Sequence, residues 1–210
     1  MVDIVNELRA DAVLRRKIQK KLPQLFHIAE LESSRAGKIG MEVGSVRERI
    51  LVALFIYKFG AENVDTEIPI TESEVDVKVQ GMPISIKTLT SHGFAGVKLV
   101  WTVDEQSALQ FSHHYAPRSD MLFIQINWEN HGGFYYIPLG TQRQIFGTLG
   151  RDRYIKLPRL GTNPRGVEIT AEALEALVNH TQTLAIDIEW RREDILFNAY
   201  QQWVEHWEQD

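Results

Sequence analysis

Residues 72 to 88, ESEVDVKVQGMPISIKT, alternate charged and aliphatic side chains, turn at a glycine, and return with a lysine on an isoleucine-flanked stretch. In an extended strand successive side chains point to opposite faces, so Val75, Val77 and Val79 share one face and Glu74, Asp76 and Lys78 the other. On the return, Ile84 and Ile86 share a face, while Ser85 and Lys87 point the opposite way. Only one parity of hairpin register gathers all the aliphatics together. A two-residue loop at Gly81-Met82, or a four-residue loop, pairs Val79 with Ile84, Val77 with Ile86 and Asp76 with Lys87. Asp76 and Lys87 are thus expected as direct cross-strand neighbours, with Cβ atoms roughly 5 Å apart. On an open sheet face such a pair is a surface ion pair contributing ~0.2–1 kcal/mol. In a cleft the same pair suits phosphodiester hydrolysis: the carboxylate holds a metal ion, and the lysine orients water or offsets developing negative charge.

Positioning these residues requires the hairpin to lie inside a larger sheet. A nearly all-apolar helix over 46–59, opened at GSVRERI and closed by Gly60, must pack on that sheet. Ser45 with Glu48 three residues later reads as a capping box, and a first-turn acid packed on the hairpin could also reach a metal held by Asp76. Around this unit the pattern predicts an N-terminal helical region over about 3–32 and a polar loop SSRAGKIG. Strands follow at VDTEIPI, SEVDVKV, PISIKTLT and KLVWTV, then a helix DEQSALQFSHHY and strands MLFIQINW and GGFYYIPL. A short helix TQRQIFGTL leads to a basic segment. The chain closes with a helix ITAEALEALVNH, a strand LAIDIEW and an amphipathic helix over about 192–207. This order predicts an α/β fold, a mixed β-sheet flanked by helices. The 210 residues read as a single domain: a helical region to about 40, a catalytic core over about 44–140, and recognition and dimer elements over about 141–210.

Composition narrows the chemistry. The absence of cysteine excludes a disulfide scaffold, a thiol nucleophile and a thiolate zinc site. No glycine-rich phosphate loop follows a strand, no HExxH pair is present, and His113 and His114 sit on a polar helix face. GGFYYIP lacks the paired tripeptides of a GIY-YIG nuclease and reads as a glycine-entered strand. The start MVDIVNELR is no signal peptide, and ILVALFIY is too short to span a bilayer, so a cytoplasmic protein with no membrane partner is expected. Net charge is −5, but residues 168–210 carry −8 and the rest of the chain +3. Two stretches are basic: RRKIQKK at 15–21, and RDRYIKLPRLGTNPR at 151–165 with five basic residues and one acid. Local positive surface of this kind suits a phosphate backbone, and it equally suits a solvated face.

A helix with Glu48, a strand with Asp76 and a strand ending in Lys87 resemble the PD-(D/E)xK nuclease core of many type II restriction endonucleases. The resemblance implies Asp76 as a Mg²⁺ ligand and Lys87 as the catalytic lysine. Val75 stands where the motif has proline, and Ser85 where it has the second acid; a hydroxyl is a poor substitute for a carboxylate on Mg²⁺. The missing acid is then sought among Glu48, Glu74, Asp104 and Glu105, with Glu48 first and Glu74 second. Over about 43–190 the ordered segments EVDV…PISIKT, GVKLVWTVDE, QINW…GGFYYIPL and LGTNPRGVEIT resemble the ThaI family of type II restriction endonucleases. That resemblance implies Mg²⁺-dependent cleavage of double-stranded DNA at a short G·C-rich palindrome such as CGCG. Cutting both strands of a palindrome calls for a homodimer.

Sequence reading would fall to side chains that reach base edges. Arg159, Asn163 and Arg165 in RLGTNPRG are candidates, in a turn stiffened by Pro164. Arg153 and Lys156 of the same basic segment, and Ser34, Arg35 and Lys38 before the core helix, are candidates for the DNA backbone or a groove. Two other readings stay open: a structure-selective repair or junction nuclease on the same core, and a non-catalytic DNA-binding module, for which Ser85 speaks.

Overall fold

The computed structural model describes residues 3–35, 38–40, 42–69, 72, 74–102, 105–158 and 165–209. In chain order the elements are α1 (Ile4–Ala10), α2 (Ala12–Glu32), β1 (Ser34–Arg35), β2 (Lys38–Ile39), α3 (Val43–Phe59), β3 (Val64–Asp65), β4 (Val77–Val79) and β5 (Met82–Thr90). They continue with β6 (Val97–Thr102), α4 (Glu105–His114), β7 (Asp120–Ile126), β8 (Asn130–Ile137), α5 (Leu139–Leu149), α6 (Arg151–Tyr154) and β9 (Ile155–Lys156). The last are β10 (Arg165–Ile169), α7 (Ala171–Val178), β11 (Leu184–Trp190) and α8 (Gln201–Trp207).

A six-stranded sheet in the order β11-β8-β7-β5-β4-β3 forms the frame, parallel between β5 and β7 and antiparallel elsewhere. Its central strand β7, DMLFIQI, is buried at every position, because both sheet faces are covered. Leu122, Ile124 and Ile126 point into one core with Leu22, Phe26, Leu51 and Phe55 of α2 and α3. Met121 and Phe123 point into a second core with Val167, Leu174 and Tyr154. That second layer also carries a three-stranded sheet, β6-β10-β9.

Several expectations change. The β4–β5 hairpin turns at Gln80 and Gly81, both at positive φ (51° and 80°), as a two-residue type I′ turn demands. The turn therefore falls one residue before Gly81-Met82, and the pairs are Val79 with Met82 and Val77 with Ile84. A displacement of two residues preserves parity, so the aliphatic face survives, but Asp76 and Lys87 are not directly opposite. Helix α3 begins at Val43, since a turn from Gly40 carries straight into it through Val43 N–H to Gly40 O at 3.4 Å. Ser45 is thus inside the first turn, the N-cap position is Glu42 without a side-chain cap bond, and the expected Ser45–Glu48 capping box is absent. The segment SSRAGKIG supplies the small β1–β2 hairpin rather than a loop. Among the described residues of VDTEIPI only Val64–Asp65 are strand, and the C-terminal helix starts at Gln201 rather than near 192.

Candidate active site

The hairpin turn decides where Asp76 sits. Its N–H donates to Ile84 O at 3.0 Å, which ties residue 76 to β5 although β4 proper starts at Val77. Its carboxylate Oδ2 accepts from the Ile86 backbone N–H at 2.5 Å and from Ser85 Oγ at 3.4 Å. Lys87 reaches the same oxygen diagonally, Nζ to Oδ2 at 3.7 Å. Asp76 and Lys87 are therefore brought together, as a diagonal pair with both side chains largely buried. All three of these contacts fall on Oδ2, and Oδ1 takes part in none of them.

Glu48 joins them from α3. It is half-buried, and its pKa is raised first by burial and then by the negative charge of Asp76, while Lys87 pulls it back. A carboxylate whose ionisation is opposed by a neighbouring one marks a site short of positive charge, which a divalent cation would relieve. The donors are all oxygen, which suits a hard ion such as Mg²⁺ or Ca²⁺. Among the described residues no three His, Asp or Glu side chains come close enough to hold a metal by themselves. An ion held by Glu48 and Asp76 would therefore draw further ligands from water and phosphate oxygens, the usual habit of Mg²⁺.

These three side chains line one wall of an open cleft of about 830 Å³. The first turn of α3 contributes Gly44 and the exposed Ser45 to the same wall. The opposite wall is β6 and β10, with Lys98 and Glu168 facing each other in register. Neither residue of that pair stands out in the sequence; a lone lysine within VKLVW is the one sign of it. Sequence reasoning also missed Glu30. Buried on α2, it accepts from Arg47 at 2.7 Å, from Trp128 Nε1 at 2.7 Å and from Arg192 at 2.9 Å, bracing α3 one residue before Glu48.

The remaining candidates are placed as follows. Glu74 does not line the cleft; it faces a small cavity with Ser85, Tyr115 and Arg118. Burial raises its pKa, while Arg118 and then Lys87 lower it. Ser85 is buried and serves Asp76 as a hydrogen-bond donor. Glu105 is exposed on α4, and Asp104 lies outside the described residues. Ser34 and Lys38 are exposed on the β1–β2 hairpin, where Arg35 pairs in register with Lys38. Arg153 is exposed on α6 and ion-paired with Glu172. Lys156 is exposed on β9, opposite Glu168. Arg165 opens β10 opposite Thr102 of β6, the strand that carries Lys98. Arg159 and Asn163 lie outside the described residues.

No curated protein matches the chain. A solved structure described as a restriction endonuclease in complex with substrate DNA superposes with a TM-score of 0.91 at 53% identity, covering 98% of this chain and 99% of that one. The family model for restriction endonuclease ThaI matches residues 8–209. A match of that extent, on a sheet that gathers a helix glutamate, a strand aspartate and a strand lysine in one cleft, settles the family: the chain belongs to the ThaI restriction endonucleases.

Proposed function

We propose that this restriction endonuclease is a Mg²⁺-dependent homodimer that hydrolyses double-stranded DNA at a short palindrome, with Asp76, Glu48 and Lys87 as its catalytic side chains. Restriction endonucleases generally need a divalent metal, and the substrate DNA of the solved relative supports DNA as the substrate here. The observation that carries the assignment is the convergence of Glu48, Asp76 and Lys87 on one cleft wall, with the Glu48 pKa raised by burial and by Asp76.

Asp76 and Glu48 would hold Mg²⁺, which supplies Lewis-acid stabilisation of negative charge on the phosphoryl oxygens. Asp76 is fixed by the Ile86 N–H and Ser85 Oγ, so its carboxylate needs little reorganisation to act as a ligand. Ser85 in this scheme orients Asp76 and leaves the second acid to Glu48. Lys87, 3.7 Å from Asp76, lies where its ammonium orients the attacking water and offsets charge building on the scissile phosphate. Glu74, on the small cavity with Arg118, exerts a second attraction on the Lys87 ammonium. Arg165, Arg159, Asn163, Ser34, Arg35 and Lys38 are proposed DNA contacts; Arg153 and Lys156 are proposed as backbone contacts.

Cleavage of defined duplexes with and without Mg²⁺ tests the reading. Asp76→Ala and Lys87→Ala are each expected to lower the rate by at least about 10²–10³-fold while the thermal transition is retained. Near-normal cleavage by either variant would dispose of the active-site assignment.

A further inference from the structure

We infer that the C-terminal arm, residues 195–207, docks into the groove between α2 and α3 of a second copy of this chain. Tyr200, Trp203, Val204 and Trp207 fall at i, i+3, i+4 and i+7, so they form one face of α8. That face is bare: Tyr200 is 74% exposed, Trp203 58% and Trp207 90%, and Leu196 just upstream is fully exposed. A stripe of large rings on a seven-residue helix has no reason to face water unless something covers it.

A matching surface lies elsewhere on the molecule. Leu14, Ile18 and Leu22 of α2 and Ile50, Leu54 and Tyr57 of α3 line an apolar groove of about 250 Å³. Leu25, also of the lining, and Tyr57 are exposed to solvent there. The groove's rim is basic: Lys17 and Lys21 line it, within residues 15–21 that hold five basic side chains and no acid. The arm is the opposite: Glu193, Asp194, Glu205, Glu208 and Asp210 occur without Lys or Arg in residues 193–210. An acidic aromatic helix and a basic apolar groove are complementary in shape class and in sign.

The arm's point of departure favours exchange between two copies. Glu193 is held by Gln24 of α2 at 2.7 Å and Arg192 by Glu30 at 2.9 Å, so the arm leaves the body beside the groove's end. Two copies related by a two-fold axis at this edge can each lay an arm over the other's groove, and the contact is made twice. Three aromatic rings from each arm would bury on the order of 1,000 Å², the scale a stable interface needs. Ile50, Ala53, Leu54 and Tyr57 share one face of α3, and Glu48 falls on the opposite face at 100° per residue, so the contact does not cover the cleft.

The inference rests on the dimeric reading above and specifies its surface. Sedimentation of the full chain without DNA, across a wide concentration range, tests both. Trp203→Ala/Trp207→Ala removes two of the arm's three rings, and Ala53→Arg places a charge in the groove at an exposed helix position. Each is expected to weaken the dimer by on the order of 100-fold with an unchanged thermal transition. An equimolar mixture of the two variants should regain dimer, because one intact arm meets one intact groove. Wild-type-like dimers from both variants would overturn the arm-and-groove contact and leave the dimeric reading standing. A monomeric mixture would mean that the arm covers its own groove, which also overturns the exchange. A monomeric wild type that cuts both strands would remove the dimeric reading itself. If Lys17→Glu/Lys21→Glu lowers DNA retention without altering sedimentation, the basic rim serves DNA, and the arm's proposed charge partner is lost.

Discussion

Arg47 and Glu30 meet at 2.7 Å with side-chain exposures of only 7% and 5%. Arg47 also donates to Thr90 Oγ1 at the end of β5, and Glu30 also accepts from Arg192 and Trp128. One buried carboxylate thus ties α2, α3, the β7–β8 turn and the start of the C-terminal arm at the base of the helix that presents Glu48. Removing one partner of a buried ion pair strands the other charge in a medium that solvates it poorly.

Glu30→Gln is therefore expected to cost about 3–5 kcal/mol of stability. Chemical denaturation measures it. Cleavage assayed well below the new transition should also fall, because α3 loses the brace one residue before Glu48. A stability loss under about 1 kcal/mol would mean that Arg47 is solvated by water in the native state.

Glu48→Gln separates metal binding from structure. With no capping box at Ser45, Glu48 has no helix-capping duty, and its raised pKa means that ionisation is disfavoured in the fold. A carboxyl whose folded pKa lies above the unfolded one stabilises the protein at pH below the unfolded value. That contribution is lost as pH rises through the folded one. At neutral pH without metal, the glutamine variant should consequently be at least as stable as the parent. Its cleavage should nonetheless fall steeply, since an amide brings no charge to Mg²⁺. In the parent, cleavage should decline as pH drops through the raised Glu48 titration, and higher Mg²⁺ should move that decline to lower pH. Full activity in the variant would remove Glu48 from the metal site.

The turn at Gln80-Gly81 sets the register that holds Asp76. A methyl group on Gly81 would meet open space, but φ there is +80°, so Gly81→Ala should cost about 1 kcal/mol through backbone strain alone. Gln80 carries the same kind of strain at φ +51°, and Gln80→Gly or Gln80→Asn should raise the melting temperature with cleavage intact. A lowered melting temperature in both Gln80 variants would show that the hairpin pairs differently in solution.

Two arginines of the basic segment should behave differently on DNA. Arg153 is engaged by Glu172, whereas Arg165 opens the strand beside the cleft wall. If Arg165 reads a guanine, Arg165→Ala should cost about 1–3 kcal/mol on the cognate duplex and much less on a scrambled one. Arg153→Ala should lower affinity slightly and equally on both, with a shallower salt dependence. Titrations at two salt concentrations distinguish these outcomes. Equal losses on both duplexes for Arg165→Ala would make it a phosphate contact.

The sequence carried the parity of the hairpin, and with it the meeting of Asp76 and Lys87, because period-two alternation allows only registers that bury Val77, Val79, Ile84 and Ile86 together. It did not carry the register itself. That was decided by Gln80 accepting a left-handed conformation, which nothing in a glutamine advertises. The helix bearing Glu48 was visible from its apolar run, but its start was not, since a turn at Gly40 outran the polar signal of Ser45. Glu74 is turned from the cleft toward Arg118, 44 residues away, and Lys98 meets Glu168 from strands 70 residues apart. Pairings across such separations leave no local pattern to read.

Strand β7 sends Leu122, Ile124 and Ile126 into one core and Met121 and Phe123 into the other, so neither layer owns it. Peeling away either layer strips one side of a strand whose every residue is shielded and which shares its full length with β5, the carrier of Lys87. Fraying confined to half of the molecule is thereby penalised in both halves. The nuclease is expected to melt as a single cooperative unit, and a half-opened form in which Lys87 hangs loose on a frayed β5 is kept scarce by the architecture itself.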